Sequence, residues 1–182
     1  RIYRADLYGW EFHIARLLHI IVKTQRPAGF PERAKAEDIV REIEQKRTVE
    51  FATLQREAIV TAAISKCMVL TGGPGTGKTT TVRGIIDMFH ALGMSVLLSA
   101  PTGRAAKRMS ETTGMEAKTV HRLLEFNPYM GKFSKNEGDP LSAHAIILDE
   151  ASMIDEPLMV DFLRALSPFT TLVIVGDADQ LP

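Results

Sequence analysis

The sequence has a single cysteine, Cys67, among 182 residues. One thiol excludes an intrachain disulfide and a Cys-rich zinc site, and fits a reducing compartment. It sits in the apolar run Cys67-Met68-Val69-Leu70, which predicts a core residue rather than a reactive thiol. Long hydrophobic runs are also lacking. The longest uncharged stretch, Met88 to Gly103, is interrupted by Gly93 and ends at Pro101-Thr102-Gly103; it is not a membrane span. The N-terminus carries Arg1, Arg4 and Asp6 and has no signal-peptide pattern. A cytoplasmic protein with no membrane partner is therefore expected. There is no initiator Met and the chain stops at Leu181-Pro182, which reads as part of a longer chain. Net charge is missing too: 22 Lys and Arg balance 22 Asp and Glu. Taken as an average, that argues against a nucleic-acid binder.

What is present is the make-up of a soluble globular protein, 45% hydrophobic and 24% charged. The length suits one domain with a sizeable core, with or without a small appendage. Trp10, Ile14, Leu17, Leu18 and Ile21 recur at helical spacing and predict an amphipathic helix over 7–24. The Arg26-to-Pro31 stretch breaks it, and a charged helix with an Ile39, Val40, Ile43 face is expected over 34–46. Residues 1–50 thus read as an N-terminal helical segment. From Thr53, a candidate helix N-cap, helices alternate with short apolar strands. Helices are expected over 54–65, 78–92, 103–112, 120–125 and 156–166. Strands are expected over 68–71, 95–100, 145–149 and 171–176. Continuous apolar strands between helices imply an α/β fold with a buried parallel sheet flanked by helices over 51–182. The polar stretch 127–142 reads as a surface loop or small insertion.

The strongest chemical signal is Gly72-Gly73-Pro74-Gly75-Thr76-Gly77-Lys78-Thr79, which matches G-x-x-x-x-G-K-[ST] between a strand and a helix. Chance would supply such a match in roughly one chain in a few hundred of this length. Glycines let backbone N–H groups turn toward phosphates, and the helix N-terminus adds its dipole and unpaired donors. Lys78 is expected to reach the β- and γ-phosphates and the Thr79 hydroxyl to ligate Mg²⁺. A second apolar strand, Ile146-Ile147-Leu148, delivers Asp149 and Glu150 at its C-terminal end, where ligands bind in open α/β sheets. Asp149 suits the Mg²⁺ shell, and Glu150 suits the base that orients and deprotonates an attacking water. A third strand ends in Gly176-Asp177-Ala178-Asp179-Gln180. Gln180 there reads either as a γ-phosphate sensor or as part of a polar turn.

Together these stretches resemble superfamily 1 helicases, most closely the RecD-like DNA helicases. Gln55, in Leu54-Gln55-Arg56-Glu57-Ala58, resembles the family's adenine-reading glutamine motif. Gly72 to Thr80 resembles motif I, so Gly73, Pro74, Gly75, Thr76, Gly77, Lys78, Thr79 and Thr80 are expected to hold ATP. Ser99 to Ala106 resembles motif Ia, and Thr119 to Leu124 a further DNA-contacting motif. Asp149 to Ser152 resembles motif II. Gly176 to Pro182 resembles motif III, and its Leu-Pro ending favours the stand-alone RecD-like group. The resemblance implies a RecA-like P-loop core, ATP and Mg²⁺ as cofactors, and a second RecA-like domain as partner. For the whole protein it implies 5′-to-3′ unwinding coupled to movement on single-stranded DNA. It places Pro101, Thr102, Gly103, Arg104 and His121 at the strand. Two rivals stay open: another P-loop enzyme class, and an ATP-gated interaction module without turnover.

Read without the family, those DNA residues are thinner signals. Pro101-Thr102-Gly103 opens a helix whose N–H groups and Thr102 hydroxyl suit a phosphate. Arg104 and Arg108 share a face, with Lys107 beside them. The plainer reading is a solvated basic face, and for His121 and Gln55 a structural and a surface role. The charge distribution sharpens the matter. Residues 1–50 carry 10 basic and 8 acidic side chains, residues 51–135 carry 11 and 5, and residues 136–182 carry 1 and 9. Neutrality is the sum of a basic middle and an acidic end, and does not exclude nucleic acid.

Overall fold

The computed structural model describes residues 5–25, 30–73 and 75–177. Along the chain run α1 (Ala5–Lys23), α2 (Arg33–Arg47), α3 (Thr53–Ile64), β1 (Cys67–Thr71), α4 (Lys78–Ala91), β2 (Val96–Ala100), α5 (Gly103–Thr113) and β3 (Ala117–Thr119). There follow α6 (Val120–Leu123), β4 (Phe126–Asn127), β5 (Lys132–Phe133), β6 (Ala145–Leu148), α7 (Glu156–Arg164) and β7 (Thr171–Gly176). Five strands form one sheet in the order β1-β7-β6-β2-β3, every pair parallel. This is the expected α/β architecture, a RecA-like P-loop core.

Alternating side chains of the central strands feed two cores. Ala145 and Ile147 of β6 and Val173 and Val175 of β7 join α2, α3 and α4 on one face. Ile146, Leu148 and Leu172 join α1, α6 and α7 on the other. Period-two alternation with both faces apolar is why these strands read as unbroken hydrophobic runs. Cys67 packs, partly buried, against the second core, and burial pushes its thiol pKa up, in keeping with a packing role.

The N-terminal helices are part of this packing. Ala36, Ile39, Val40 and Ile43 of α2 share the first core, and Ile21 of α1 is buried in the second with Ile14, Leu17 and Leu18 against it. Glu44 ties α2 to α3. Burial opposes its charge, but hydrogen bonds from Arg56 and the Phe51 N–H, with the attraction of Arg56, hold its carboxyl below the usual range.

Several boundaries differ from the sequence expectation. Thr53 is the first helical residue, not the cap; Ala52 precedes the helix and the Gln55 carboxamide accepts its N–H at 3.0 Å. The helix expected over 120–125 stops at Leu123 because Glu125 takes a left-handed conformation, φ 56°. The helix expected to reach 166 stops at Arg164. β3 has no counterpart in the sequence expectation, since Ala117-Lys118-Thr119 carries no apolar run; it exists because β2 offers it a parallel edge. The stretch that reads as a loop begins in a hairpin, with Phe126 opposite Phe133.

α3 and α4 pass closely at Gly84, where an added Cβ would press on Ile59 Cδ1 and lie 2.9 Å from Phe51 Cζ. Gly84→Ala is therefore expected to overpack by about 1–3 kcal/mol, offset by about 0.5–1 kcal/mol of helix propensity. Gly9, in α1, has nothing within 4 Å of its would-be Cβ, and Gly9→Ala should gain about 0.5–1 kcal/mol of helix stability. Urea unfolding of the two variants compares them; a Gly84→Ala that gains as much stability as Gly9→Ala would contradict the close helix approach.

Candidate active site

All five strands of the sheet point the same way, so the turns after β1, β2 and β6 emerge at one edge. After β1 the chain turns through Gly72 and Gly73 and enters α4 at Lys78. Gly75 and Gly77 have φ of 77° and 81°, a left-handed conformation that glycine adopts without a Cβ penalty. The Thr76 hydroxyl donates to the Gly73 carbonyl at 2.9 Å. Lys78 Nζ curls back and donates to the carbonyls of Gly72 and of Gly73, the latter at 2.8 Å. Its charge thus sits in the concavity of its own loop, beside the positive end of the α4 dipole. A Cβ on Gly72 would lie 2.7 Å from Thr76 Oγ1, and one on Gly77 would strike Gln55 Nε2. The loop is a cradle that side chains would fill.

Gln55 braces this cradle from α3. Its Nε2 donates to the Gly77 carbonyl at 3.4 Å while its Oε1 accepts the Ala52 N–H. Thr80, one turn into α4 from Gly77, is exposed and lines an open cavity of about 560 Å³ with Phe51, Arg83 and the end of α2. Pro74 and Gln180 lie outside the described residues.

β6 ends at Leu148, and the Asp149 N–H continues the ladder to the Ser99 carbonyl at 2.9 Å. Asp149 Oδ1 accepts the N–H of Glu150 at 2.9 Å. Glu150 is left-handed, φ 50° and ψ 38°, a conformation that costs a non-glycine residue about 1–2 kcal/mol. Its carbonyl accepts the Met153 N–H at 3.0 Å and opens the short 3₁₀ turn Ala151–Met153. Strain of this kind gathers at functional sites. Lys78, Thr79 and Asp149 line one small cavity of about 50 Å³. The structure thus brings Lys78 and Thr79 of one motif and Asp149 of the other, far apart in sequence, to the wall of one cavity.

The α5 face differs from expectation. Thr102 caps α5, its Oγ1 accepting the Ala105 N–H at 3.2 Å; the hydroxyl proton stays available to donate. Gly103 and Arg104 are exposed and Pro101 half-buried. Lys107 faces Glu111 at 3.9 Å. Arg108, one turn after Arg104 and also exposed, has a partner that Arg104 lacks among the described residues: its Nη2 donates to Glu150 Oε1 at 2.8 Å, and it lines the small cavity. His121 is exposed and packs edge-on against Phe126, and tilted against Phe133, both at 5.6 Å. It supports the base of the hairpin, whose tip carries Tyr129, 98% exposed. Sequence reasoning missed this hairpin; its signal was the pair of phenylalanines flanking Asn127-Pro128 and Gly131.

The Gln55–Gly77 contact gives a stability test that needs no ligand. Gly77→Ala meets both the left-handed backbone, about 1–2 kcal/mol, and the Gln55 side chain, an overpacking of about 1–3 kcal/mol. In a Gln55→Ala background only the first cost should remain. Denaturant unfolding of the double-mutant cycle is expected to show this non-additivity; strict additivity would contradict the brace.

A family model described as an AAA domain matches residues 55–182. The ATP-dependent RecD2 DNA helicase of Deinococcus radiodurans is 37% identical over 182 residues, all of this chain and 24% of that protein. The RecBCD enzyme subunit RecD of Haemophilus influenzae is 31% identical over 195 residues, 94% of this chain and 30% of that protein. The ATP-dependent DNA helicase dda of Enterobacteria phage T4 is 34% identical over 120 residues, 63% of this chain and 27% of that protein. The chain spans between a quarter and a third of the length of these relatives.

Proposed function

The chain belongs to the AAA-domain family, among the RecD-like helicases of superfamily 1, and from that premise we propose that it is the ATP-binding motor domain of a 5′-to-3′ DNA helicase. In the full-length protein it couples Mg-ATP hydrolysis to movement along single-stranded DNA and duplex unwinding. The observation that carries this reading is the convergence of Lys78, Thr79 and Asp149 on one cavity at the C-terminal edge of the sheet, with Glu150 next in the chain. The ATPase domain is assigned to residues 51–182, with residues 1–50 as a helical segment docked on it.

The roles follow from chemistry. The loop N–H groups of Gly73 and of Gly75 through Thr80 cradle the phosphates around Pro74, which has none to offer, and Lys78 exchanges its two loop carbonyls for the β- and γ-phosphate oxygens. Gln55, its carboxamide held by two backbone contacts, is assigned to reading the adenine. Thr79 and Asp149 would hold Mg²⁺. Among the described residues no group of three or more His, Cys, Asp or Glu could cage a metal, and one hydroxyl with one carboxylate suits an ion bound largely through substrate phosphates and water. A magnesium ion there would neutralise charge on the phosphate oxygens. Glu150 takes a proton from the attacking water as the water oxygen bonds to the γ-phosphorus and the bond to the ADP oxygen breaks, leaving ADP and phosphate. Gln180 is assigned to sensing the γ-phosphate.

Pro101, Thr102, Gly103 and Arg104, at the start of α5, are assigned to strand phosphates, and His121, at the hairpin, to the same strand. A second RecA-like domain of the same full-length chain would close the nucleotide site from the opposite side. The acidic stretch 136–182, with 1 basic and 9 acidic residues, suits a basic surface on that domain. No helix among the described residues is long and apolar enough to cross a membrane; the cytoplasm is the proposed compartment.

In the full-length protein, Lys78→Ala removes a charge-assisted contact of about 1.5–3 kcal/mol and should abolish ATP turnover; wild-type turnover would sink the assignment. Glu150→Gln should keep nucleotide affinity, measured by fluorescent-nucleotide titration, and lose hydrolysis; an equal loss of binding would reject its role as base. Arg104→Ala should weaken single-strand binding in anisotropy titrations and leave ATP affinity unchanged. Unaltered DNA affinity would return that residue to a solvated surface.

A further inference from the structure

We propose that Arg108 is the positioning residue that links single-strand binding to ATP cleavage, holding the Glu150 carboxylate until a strand phosphate takes its guanidinium. The inference rests on the functional reading above and goes beyond it, because that reading gives Arg108 no part. Three observations carry it. Arg108 lies one turn after Arg104 on α5, the helix whose first residues the functional reading assigns to the strand. Its Nη2 donates to Glu150 Oε1 at 2.8 Å, across 42 positions of sequence. It also lines the small cavity shared by Lys78, Thr79 and Asp149.

The backbone around Glu150 leaves only the side chain free to move. Its N–H is fixed on Asp149 and its carbonyl on Met153. A base must point an oxygen lone pair at the attacking water, and Arg108 occupies one. The pair is also open to competition. The Arg108 side chain is 66% exposed and that of Glu150 25%, so the contact contributes little to stability. The guanidinium fork matches a phosphodiester as well as a carboxylate. The other α5 cations do not reach this carboxylate: Lys107 faces Glu111 and Arg104 faces solvent at the start of the helix. A strand lying along α5 therefore finds Arg104 first and Arg108 one turn on. When a phosphate takes Arg108, the Glu150 oxygen is released to the water. Without a strand, hydrolysis is held back.

The test uses the full-length protein, steady-state ATP turnover with and without a saturating single-stranded oligonucleotide, and strand affinity against salt. Arg108→Ala should raise turnover without DNA by up to about fivefold, the factor that a partly exposed ion pair of up to about 1 kcal/mol represents. The KM for ATP should stay unchanged and the ratio of DNA-stimulated to basal turnover should collapse. The slope of log affinity against log salt should fall by about 0.7, one strand phosphate contact. Arg108→Lys keeps the charge without the fork and should retain an intermediate ratio; it carries the test alone if the alanine variant does not fold. A drop in turnover by the same factor with and without DNA would make Arg108 a cation on the ATP phosphates and overturn the proposal, as would an unchanged stimulation ratio. Wild type and Glu150→Gln are run in parallel. Inactive wild type, or an active Glu150→Gln, would strike the functional reading itself rather than the coupling.

Discussion

Parallel pairing of β1, β7, β6 and β2 is the constraint on which the rest depends. β6 is buried along its whole length, so it can exist only with helices covering both faces of the sheet. That requirement recruits α2, α3 and α4 to one face and α1, α6 and α7 to the other. Because every strand runs the same way, the turns that leave β1, β2 and β6 must share an edge. The glycine loop, the start of α5 and the Asp149-Glu150 pair are neighbours for that reason. The register that sets Leu148 beside Ser99 and Ile174 is what aims Asp149 into the cavity reached by Lys78.

At that edge the backbone is held away from its relaxed conformations, and the contacts that hold it are polar and local. Two glycines turn the phosphate loop through left-handed conformations. Lys78 and Thr76 satisfy its carbonyls from within, and Gln55 fixes its exit. Glu150 takes a similar conformation without being glycine, held by hydrogen bonds before and after it. Loop and carboxylate are thereby preorganised. The movable parts are the ends of long side chains, Lys78 and Arg108, each with a carbonyl or carboxylate partner that a phosphate group can replace.

Much of this was legible in the sequence. Ile146-Ile147-Leu148 and Leu172-Val173-Ile174-Val175 announce buried strands because both of their faces are apolar, and the glycine spacing with Lys78 and Thr79 announces the loop. What was not legible depends on distant partners. β3 is polar and becomes a strand only through pairing with β2. Arg108 reads as one more cation on a basic helix, and its contact with Glu150 spans β3, α6 and the hairpin. Thr102 reads as a phosphate ligand, whereas its hydroxyl oxygen first caps α5. For Arg108 local pattern gave the element and tertiary contact the partner, β3 needs its partner even to be a strand, and the Thr102 cap is a local contact with Ala105.

The central claim is that this edge cleaves ATP under the control of a bound single strand. A single-turnover measurement on the full-length protein, with radiolabelled ATP and Mg²⁺ and with or without single-stranded DNA, tests it most directly. The account expects cleavage in both cases and a markedly faster step when the strand is present. An identical rate with and without DNA, or no cleavage in either, would contradict it.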